Sequence, residues 1–278
     1  MNITFIGGGN MAGALITGLL QKGFDPKNIG VVELSAENRA RLSEKFGVAT
    51  HEEISAASID GDIVVLAVKP QQLHDVATQL HGLLDGRLVI SIAAGVRSTD
   101  LSRWLGGHAM IVRAMPNTPA MVLAGITGLY APPGVPEDRR RQAETVLGAV
   151  GTTLWLEREE RMDAVTAISG SGPAYVFLFI EALQQAAMEL GFTQEEARTL
   201  SLETFLGAAK LAGRSAEDAA TLRARVTSKG GTTERAILAL ESAGVRQAVI
   251  QAAQAACLRS RELGDELGKM GTGSNSSC

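Results

Sequence analysis

The stretch Ile3-Thr4-Phe5-Ile6-Gly7-Gly8-Gly9-Asn10-Met11-Ala12 reads as a strand, a glycine turn and the start of a helix. Met11, Leu15, Ile16, Leu19 and Leu20 then recur on one helical side. Gly7, Gly9 and Ala12 fall on the three small positions of G-x-G-x-x-[G/A]. Gly7 permits the tight turn, Gly9 lets backbone approach a pyrophosphate, and Ala12 lets the helix pack close to the strand. The helix N-terminus adds unpaired N–H groups and a positive dipole end, both suited to phosphate. A glycine turn alone would be an ordinary loop. Here a second strand, Ile29-Gly30-Val31-Val32, closes the unit and leads into Glu33, about 20 residues past the last small position, where an acid meets a ribose hydroxyl. The pattern implies a bound dinucleotide, touched by Ile6, Gly7, Gly8, Gly9, Asn10, Met11, Ala12 and Glu33.

Outward from this unit, strands and helices keep alternating. A polar helix is expected over 36–46. Asp62 to Val68 is a continuous apolar run, as a parallel strand buried on both faces should be. Pro70 opens a helix where its missing N–H costs little. Further strands are expected at 88–92 and 110–114, shorter ones at 125–130 and 151–156, and a helix at 136–150. Such alternation predicts an α/β fold: a Rossmann-like, doubly wound open parallel sheet over residues 1–157. From about residue 158 the chain reads as helix only, at 159–168, 173–190, 193–213, 215–225, 231–242 and 244–267. Ala174-Tyr175-Val176-Phe177-Leu178-Phe179-Ile180 is apolar all round and must be covered on every side. Residues 158–270 are therefore expected to form an all-α dimerisation domain, with 271–278 as a flexible tail.

Composition narrows the class. Net charge is −4, which gives no basic footprint for nucleic acid. No uninterrupted apolar stretch reaches the roughly 18 to 20 residues of a membrane span, and the first strand leaves no room for a cleavable signal. Cys257 sits in a helical pattern and Cys278 ends the chain, so no disulfide framework is expected. His51, His74, His81 and His108 lack metal-ligand spacing, so no metal is expected. A cytoplasmic location fits these features.

In a doubly wound sheet, ligands lie beyond the carboxyl ends of the strands. Those ends read Ala67-Val68-Lys69-Pro70, Ala93-Ala94-Gly95 and Pro116-Asn117-Thr118-Pro119, all expected to border the cofactor. The middle segment also suits a plain turn. Lys69 opposes its helix dipole, and two prolines bracket Asn117 and Thr118. In the helical half, Ser169 to Tyr175 and Thr227-Ser228-Lys229-Gly230-Gly231-Thr232-Thr233 each lead into a helix. Either turn suits a carboxylate or simple capping by hydroxyls. The second carries four hydroxyls and two glycines, more than a cap requires.

In combination these motifs resemble the pyrroline-5-carboxylate reductases over about residues 2–267. The resemblance implies an enzyme: an NAD(P)H-dependent oxidoreductase that reduces the cyclic imine (S)-1-pyrroline-5-carboxylate to L-proline, the last step of proline synthesis. It implies intertwined homodimers through the helical domain, often assembled into decamers, with each active site between a nucleotide domain and helices of the partner. It assigns Thr233 to the imine nitrogen, as the catalytic hydroxyl. It seats the substrate carboxylate on the N–H groups of Gly230, Gly231 and Thr232, helped by Ser228. Lys229 departs from the proline many members carry, which alters loop stiffness. NADP(H) is the cofactor the resemblance implies. Glu33 at the ribose favours NAD(H) as an alternative, while Ser35, Asn38 and Arg39 offer partners for a 2′-phosphate if Glu33 turns away. Two rivals are a 3-hydroxyacid dehydrogenase and a non-catalytic dinucleotide sensor. The first needs a helical-domain lysine in its own motif, and Lys210 and Lys229, the lysines between 151 and 268, lack it.

Overall fold

The structure is a computed structural model that describes residues 1–271. Its first compact unit comprises residues 1–171 and the chain from Ala256 onward. In order it contains β1 (Ile3–Ile6), α1 (Asn10–Gln21), β2 (Ile29–Val32), α2 (Ala36–Phe46), β3 (Ala49–His51), β4 (Ile63–Leu66), α3 (Leu73–Leu80), β5 (Leu88–Ser91), α4 (Ser98–Trp104), β6 (Ile111–Met115), β7 (Gly125–Tyr130), α5 (Glu137–Leu147), β8 (Gly151–Trp155) and α6 (Arg161–Val165). The strands form one sheet of order β3-β2-β1-β4-β5-β6-β7-β8. The order reverses at β1 and β4, whose carboxyl ends flank the crevice of a doubly wound fold.

Burial explains why these runs became strands. Ile63, Val64, Val65 and Leu66 are buried on both faces, with one layer of core on each side of the sheet. Phe5, Leu15, Ile16 and Leu19 fix α1 to one face, while Leu73, Ala77 and Leu80 fix α3 to the other. Each fully buried side chain of this size contributes about 1.5–3 kcal/mol.

Four expectations change. The sheet is mixed, because β7 runs antiparallel to β6 before β8 pairs parallel with β7. Only residues 116–124 join β6 to β7, and they hold a short 3-10 turn, Thr118–Val122. A parallel return needs a crossover of about a dozen residues or more. Two elements were not foreseen: the three-residue edge strand β3 and the helix α4. Finally, Ser169 to Tyr175 is no open turn. A π-helical turn, Thr166–Gly170, joins α6 almost directly to α7 (Gly172–Glu189), with the Ser171 N–H donating to the Thr166 carbonyl at 2.8 Å.

The second compact unit, residues 172–255, contains α7, α8 (Gln194–Arg214), α9 (Ala219–Arg225), α10 (Thr232–Ser242) and the first part of α11 (Val245–Gly268). The strands stop near the expected 157/158 boundary, but the compact units divide at 171/172 and 255/256. Within this second unit α7 packs on α8 and buries Ala197 and Ser201, yet Phe177 is 64% exposed and Leu178 63%. A unit whose large apolar side chains stay in solvent has no core of its own in one chain. The run Arg161–Glu189 is long and apolar enough to cross a membrane by length and composition. Of the expected tail, Gly271 closes a turn, and 272–278 lie outside the described residues.

Candidate active site

The glycine turn does what its sequence requires. Gly7 sits at φ +98°, and a Cβ there would meet the Ala67 carbonyl oxygen at 2.7 Å. The turn is therefore pressed against the end of β4. At Gly9 a Cβ would meet nothing within 4 Å, so the space in front of this residue is open. Gly9 caps α1 without a side-chain hydrogen bond, and no acidic residue lies in the first turn. The first helical bond of this end runs from the Gly13 N–H to the Gly9 carbonyl at 2.9 Å. The N–H groups of Asn10, Met11 and Ala12 thus remain for an anion. Open space, unpaired donors and no acidic residue in the first helical turn fit a pyrophosphate.

A cleft of about 330 Å³ runs along this turn. It gathers Ile6, Gly7, Gly8 and Gly9 with Glu33 and with Ala67, Val68 and Lys69. Glu33 is pinned by backbone on both oxygens: Oε2 accepts from the Gly8 N–H and Oε1 from the Ser35 N–H, each at 2.9 Å. It faces the turn and does not swing away. Ser35 is the N-cap of α2, its hydroxyl accepting from the Asn38 N–H at 3.3 Å. Asn10, Met11, Ala12 and Pro70 stand at helix starts beside the cleft but do not line it.

Five expected residues, Ala93, Ala94, Gly95, Pro116 and Asn117, do not line this cleft. Gly95 packs against α11, where its Cβ would meet Leu263 and Leu267 at 3.4 and 3.5 Å. Pro116 is buried. Asn117 spends its side chain on structure: Oδ1 accepts from the Ile126 N–H at 2.9 Å and Nδ2 donates to the Ser169 carbonyl at 3.1 Å. Pro173, four residues on, has no N–H to give that carbonyl, so Asn117 answers it and ties β7 to the turn. Ala93 is buried after β5, its N–H donating to the Ser91 hydroxyl, with Ala94 half-buried beside it. The loop after β5 is held by Glu159, which accepts from the Ser98 N–H and hydroxyl and from Arg113, each at 2.6 Å. Burial alone would raise the Glu159 carboxyl, but the Ser98 hydrogen bonds and the Arg113 charge together hold it below the usual range.

Two carboxylates of the cleft escaped the sequence reading, Glu52 and Glu53. They follow β3, and with that strand unread there was no reason to set them beside β2. Recognising Ala49-Thr50-His51 as an edge strand would have placed them at a carboxyl end like Glu33.

In the second unit, α10 begins at Thr232, with Gly231 as N-cap and no side-chain cap. Capping by hydroxyls, the plain alternative for this loop, does not occur. Thr232 and Thr233 occupy the first two helical positions, and Thr233 is half-buried. Two of the three donors expected for a carboxylate are engaged within the chain. The Gly230 N–H donates to Glu234 Oε2 at 2.7 Å, and the Gly231 N–H to the Ser228 carbonyl at 3.0 Å. The next N–H groups, of Thr232 and Thr233, have no earlier helical turn to bond.

Known proteins share this arrangement from end to end. Residues 159–263 match the model for pyrroline-5-carboxylate reductase dimerisation, and residues 2–95 that for the NADP oxidoreductase, coenzyme F420-dependent, family. A pyrroline-5-carboxylate reductase of Pseudomonas aeruginosa is 45% identical over 96% of this chain and 98% of its own length. The chain belongs to the pyrroline-5-carboxylate reductase family. The solved pyrroline-5-carboxylate reductase of Coxiella burnetii superposes with a TM-score of 0.89 at 46% identity, covering 94% of this chain and 98% of the other. That of Plasmodium falciparum, solved with NADP bound, gives 0.85 at 29% identity, covering 95% and 98%. Family membership brings the activity: an NAD(P)H-dependent oxidoreductase acting on the cyclic imine pyrroline-5-carboxylate, with NADP(H) as cofactor. It also makes the helical region an oligomerisation domain. The apolar run Arg161–Glu189 falls inside that matched region.

Proposed function

We propose that the chain completes proline synthesis by reducing (S)-1-pyrroline-5-carboxylate to L-proline, with the α1 N-terminus seating the cofactor and the α10 N-terminus seating the substrate. The bound reduced nicotinamide supplies a hydride to the imine carbon. The protein supplies position and polarity. Thr232 and Thr233 offer N–H groups to the substrate carboxylate, joined by the exposed Ser228 hydroxyl. The Gly230 N–H joins them when Glu234 yields it. The Thr233 hydroxyl orients the imine nitrogen and relays a proton to it. A threonine is a weak acid, so it acts as a positioned donor fed by water.

One observation carries the assignment of roles: α10 starts on a bare glycine cap, with two threonines in its first turn that do no capping. Holding the reacting atoms at near-attack distance lowers the barrier by several kcal/mol. Homodimers form through the helical domain and associate into decamers in the cytoplasm. The test is turnover of reduced nicotinamide with pyrroline-5-carboxylate, with proline identified as product. Cofactor binding without turnover would leave a dinucleotide sensor, and turnover of a 3-hydroxyacid instead would reassign the substrate.

A further inference from the structure

Three carboxylates border the nucleotide cleft near the end of β2: Glu33, Glu52 and Glu53. The cation nearest them is Arg39, in the early part of α2. Its guanidinium lies behind the wall made by Glu33, Leu34 and Glu52. One terminal nitrogen, Nη1, donates to the Glu33 and Leu34 carbonyls at 2.8 and 2.7 Å. The other, Nη2, donates to Glu52 Oε2 at 3.0 Å. The Arg39 side chain is 18% exposed and that of Glu52 73%, so the arginine is a fixed part of the wall and the glutamate reaches it from solvent.

A 2′-phosphate on the adenosine ribose would need positive charge at this spot, because Glu33 is anchored there. Ser35 and Asn38 can offer only neutral donors and no positive charge, and Glu37 puts a negative charge into the first turn of α2. Lys69 also lines the cleft, but at the end of β4; at the end of β2 Arg39 is the cation in contact, and Glu52 holds it and offsets its charge. We infer that Glu52 is a specificity-determining residue: by engaging Arg39 it weakens the hold on a 2′-phosphate and so sets how far NADPH is preferred to NADH. The inference rests on the reading that the adenosine ribose lies at Glu33.

Glu52→Gln keeps the size of the side chain and removes its charge. Binding of NADP⁺ and NAD⁺ to the full-length dimer is measured by calorimetry, alongside kcat/KM for NADPH and NADH. With one charge removed several ångströms from the phosphate, the NADP⁺ dissociation constant should fall by about fivefold, and that of NAD⁺ should stay within about twofold. Glu53→Gln removes the same charge from the same cleft without touching Arg39, and should shift the ratio clearly less. In an Arg39→Lys background, which keeps the charge but loses the fork, the effect of Glu52→Gln should shrink. An unchanged NADP⁺ to NAD⁺ ratio in Glu52→Gln, with both dinucleotides still binding, overturns the inference and leaves the cofactor site standing. An equal effect from Glu53→Gln, or an undiminished one in Arg39→Lys, also overturns it, because general charge would then suffice. Failure of either dinucleotide to bind the unaltered chain would remove the cofactor reading and the inference together.

Discussion

Thr233→Ala separates chemistry from helix capping more cleanly than the sequence suggests. If Thr233 capped α10, its loss would cost typically ~1 kcal/mol. It does not cap: Gly231 holds that position, and Thr233 lies inside the first turn. Alanine is the better helix former by about half a kcal/mol, which offsets much of the loss of a half-buried methyl group. Net stability should therefore move by no more than about 0.5 kcal/mol, a melting shift of roughly 2 °C or less for a chain of this size. Removal of a positioned proton donor should instead lower kcat/KM on the order of a hundredfold, equivalent to about 2.7 kcal/mol of barrier. The two expectations differ about fivefold in free energy, so thermal melts and steady-state kinetics on one preparation decide between them. Thr233→Ser should keep most activity. Thr232→Ala should too, because its assigned contribution is a backbone N–H that alanine also has. Near-normal turnover by Thr233→Ala, in a folded dimer that still binds cofactor, would refute the role and leave the proton to solvent or to an already protonated substrate.

Glu33→Ser should raise the NADPH to NADH ratio of kcat/KM by about tenfold, since a carboxylate beside a 2′-phosphate is removed; an unchanged ratio would mean that Glu33 does not face the ribose. The same change leaves the Gly8 and Ser35 N–H groups without their acceptor, so a loss of about 1–3 kcal/mol in stability should accompany it, read from denaturant titration. Sedimentation at low micromolar concentration should show no folded monomer, because Phe177 and Leu178 have no cover in one chain; a monomer with a cooperative melt would contradict this. Glu159→Gln should cost about 3 kcal/mol or more by stranding the buried Arg113 charge, and a melt shifted by less than a degree would refute the pairing. In the unaltered protein, Glu159 sits below the ordinary 4.5, so its stabilisation is present above that pH and fades as pH falls through the lowered folded value. His108, pushed below 6.5 by burial, acts with the same sign: under pH 6.5 the unfolded chain takes up a proton that the folded one resists, and stability falls. A melting temperature that rose on acidification from pH 6.5 to 4 would contradict both assignments.

The parts of this protein legible in its sequence are those where one short segment carries its own physical reason. The strand, glycine turn and helix around Gly7 to Ala12 needed no distant partner to be recognised, nor did the apolar run at β4. What escaped depends on neighbours far along the chain. β3 spans three residues and is held by pairing with β2, so nothing in Ala49-Thr50-His51 announces it. The reversal at β7 follows from the short link before it, a matter of length more than of composition. Asn117 looked like a ligand because two prolines bracket it and Thr118, yet its side chain turns inward to the Ile126 N–H and the Ser169 carbonyl. Gly95 shows the same exchange, a glycine that serves helix packing against α11 where a cofactor contact was expected.

The two helix N-termini bring these threads to one point. Both α1 and α10 start on a glycine cap with no side-chain cap bond, while α2, α8 and α9 are capped by Ser35, Thr193 and Asp218. Where a hydroxyl or carboxylate caps a helix, the orphan N–H groups are answered from within and the end is closed to ligands. Where glycine caps it, the cap residue has no side chain to answer the first helical N–H groups, although at α10 the Glu234 carboxylate holds the Gly230 N–H just before them. The chain thus leaves open the two helix ends assigned to the pyrophosphate and to the substrate carboxylate. At α2, beside the position assigned to the ribose, it closes the end with Ser35 and sets Glu33, Glu37 and Glu52 around it. An end closed and ringed with acid in this way discriminates among anions instead of accepting them, which is why the choice between NADPH and NADH should depend on Arg39 and its partners more than on the glycine turn.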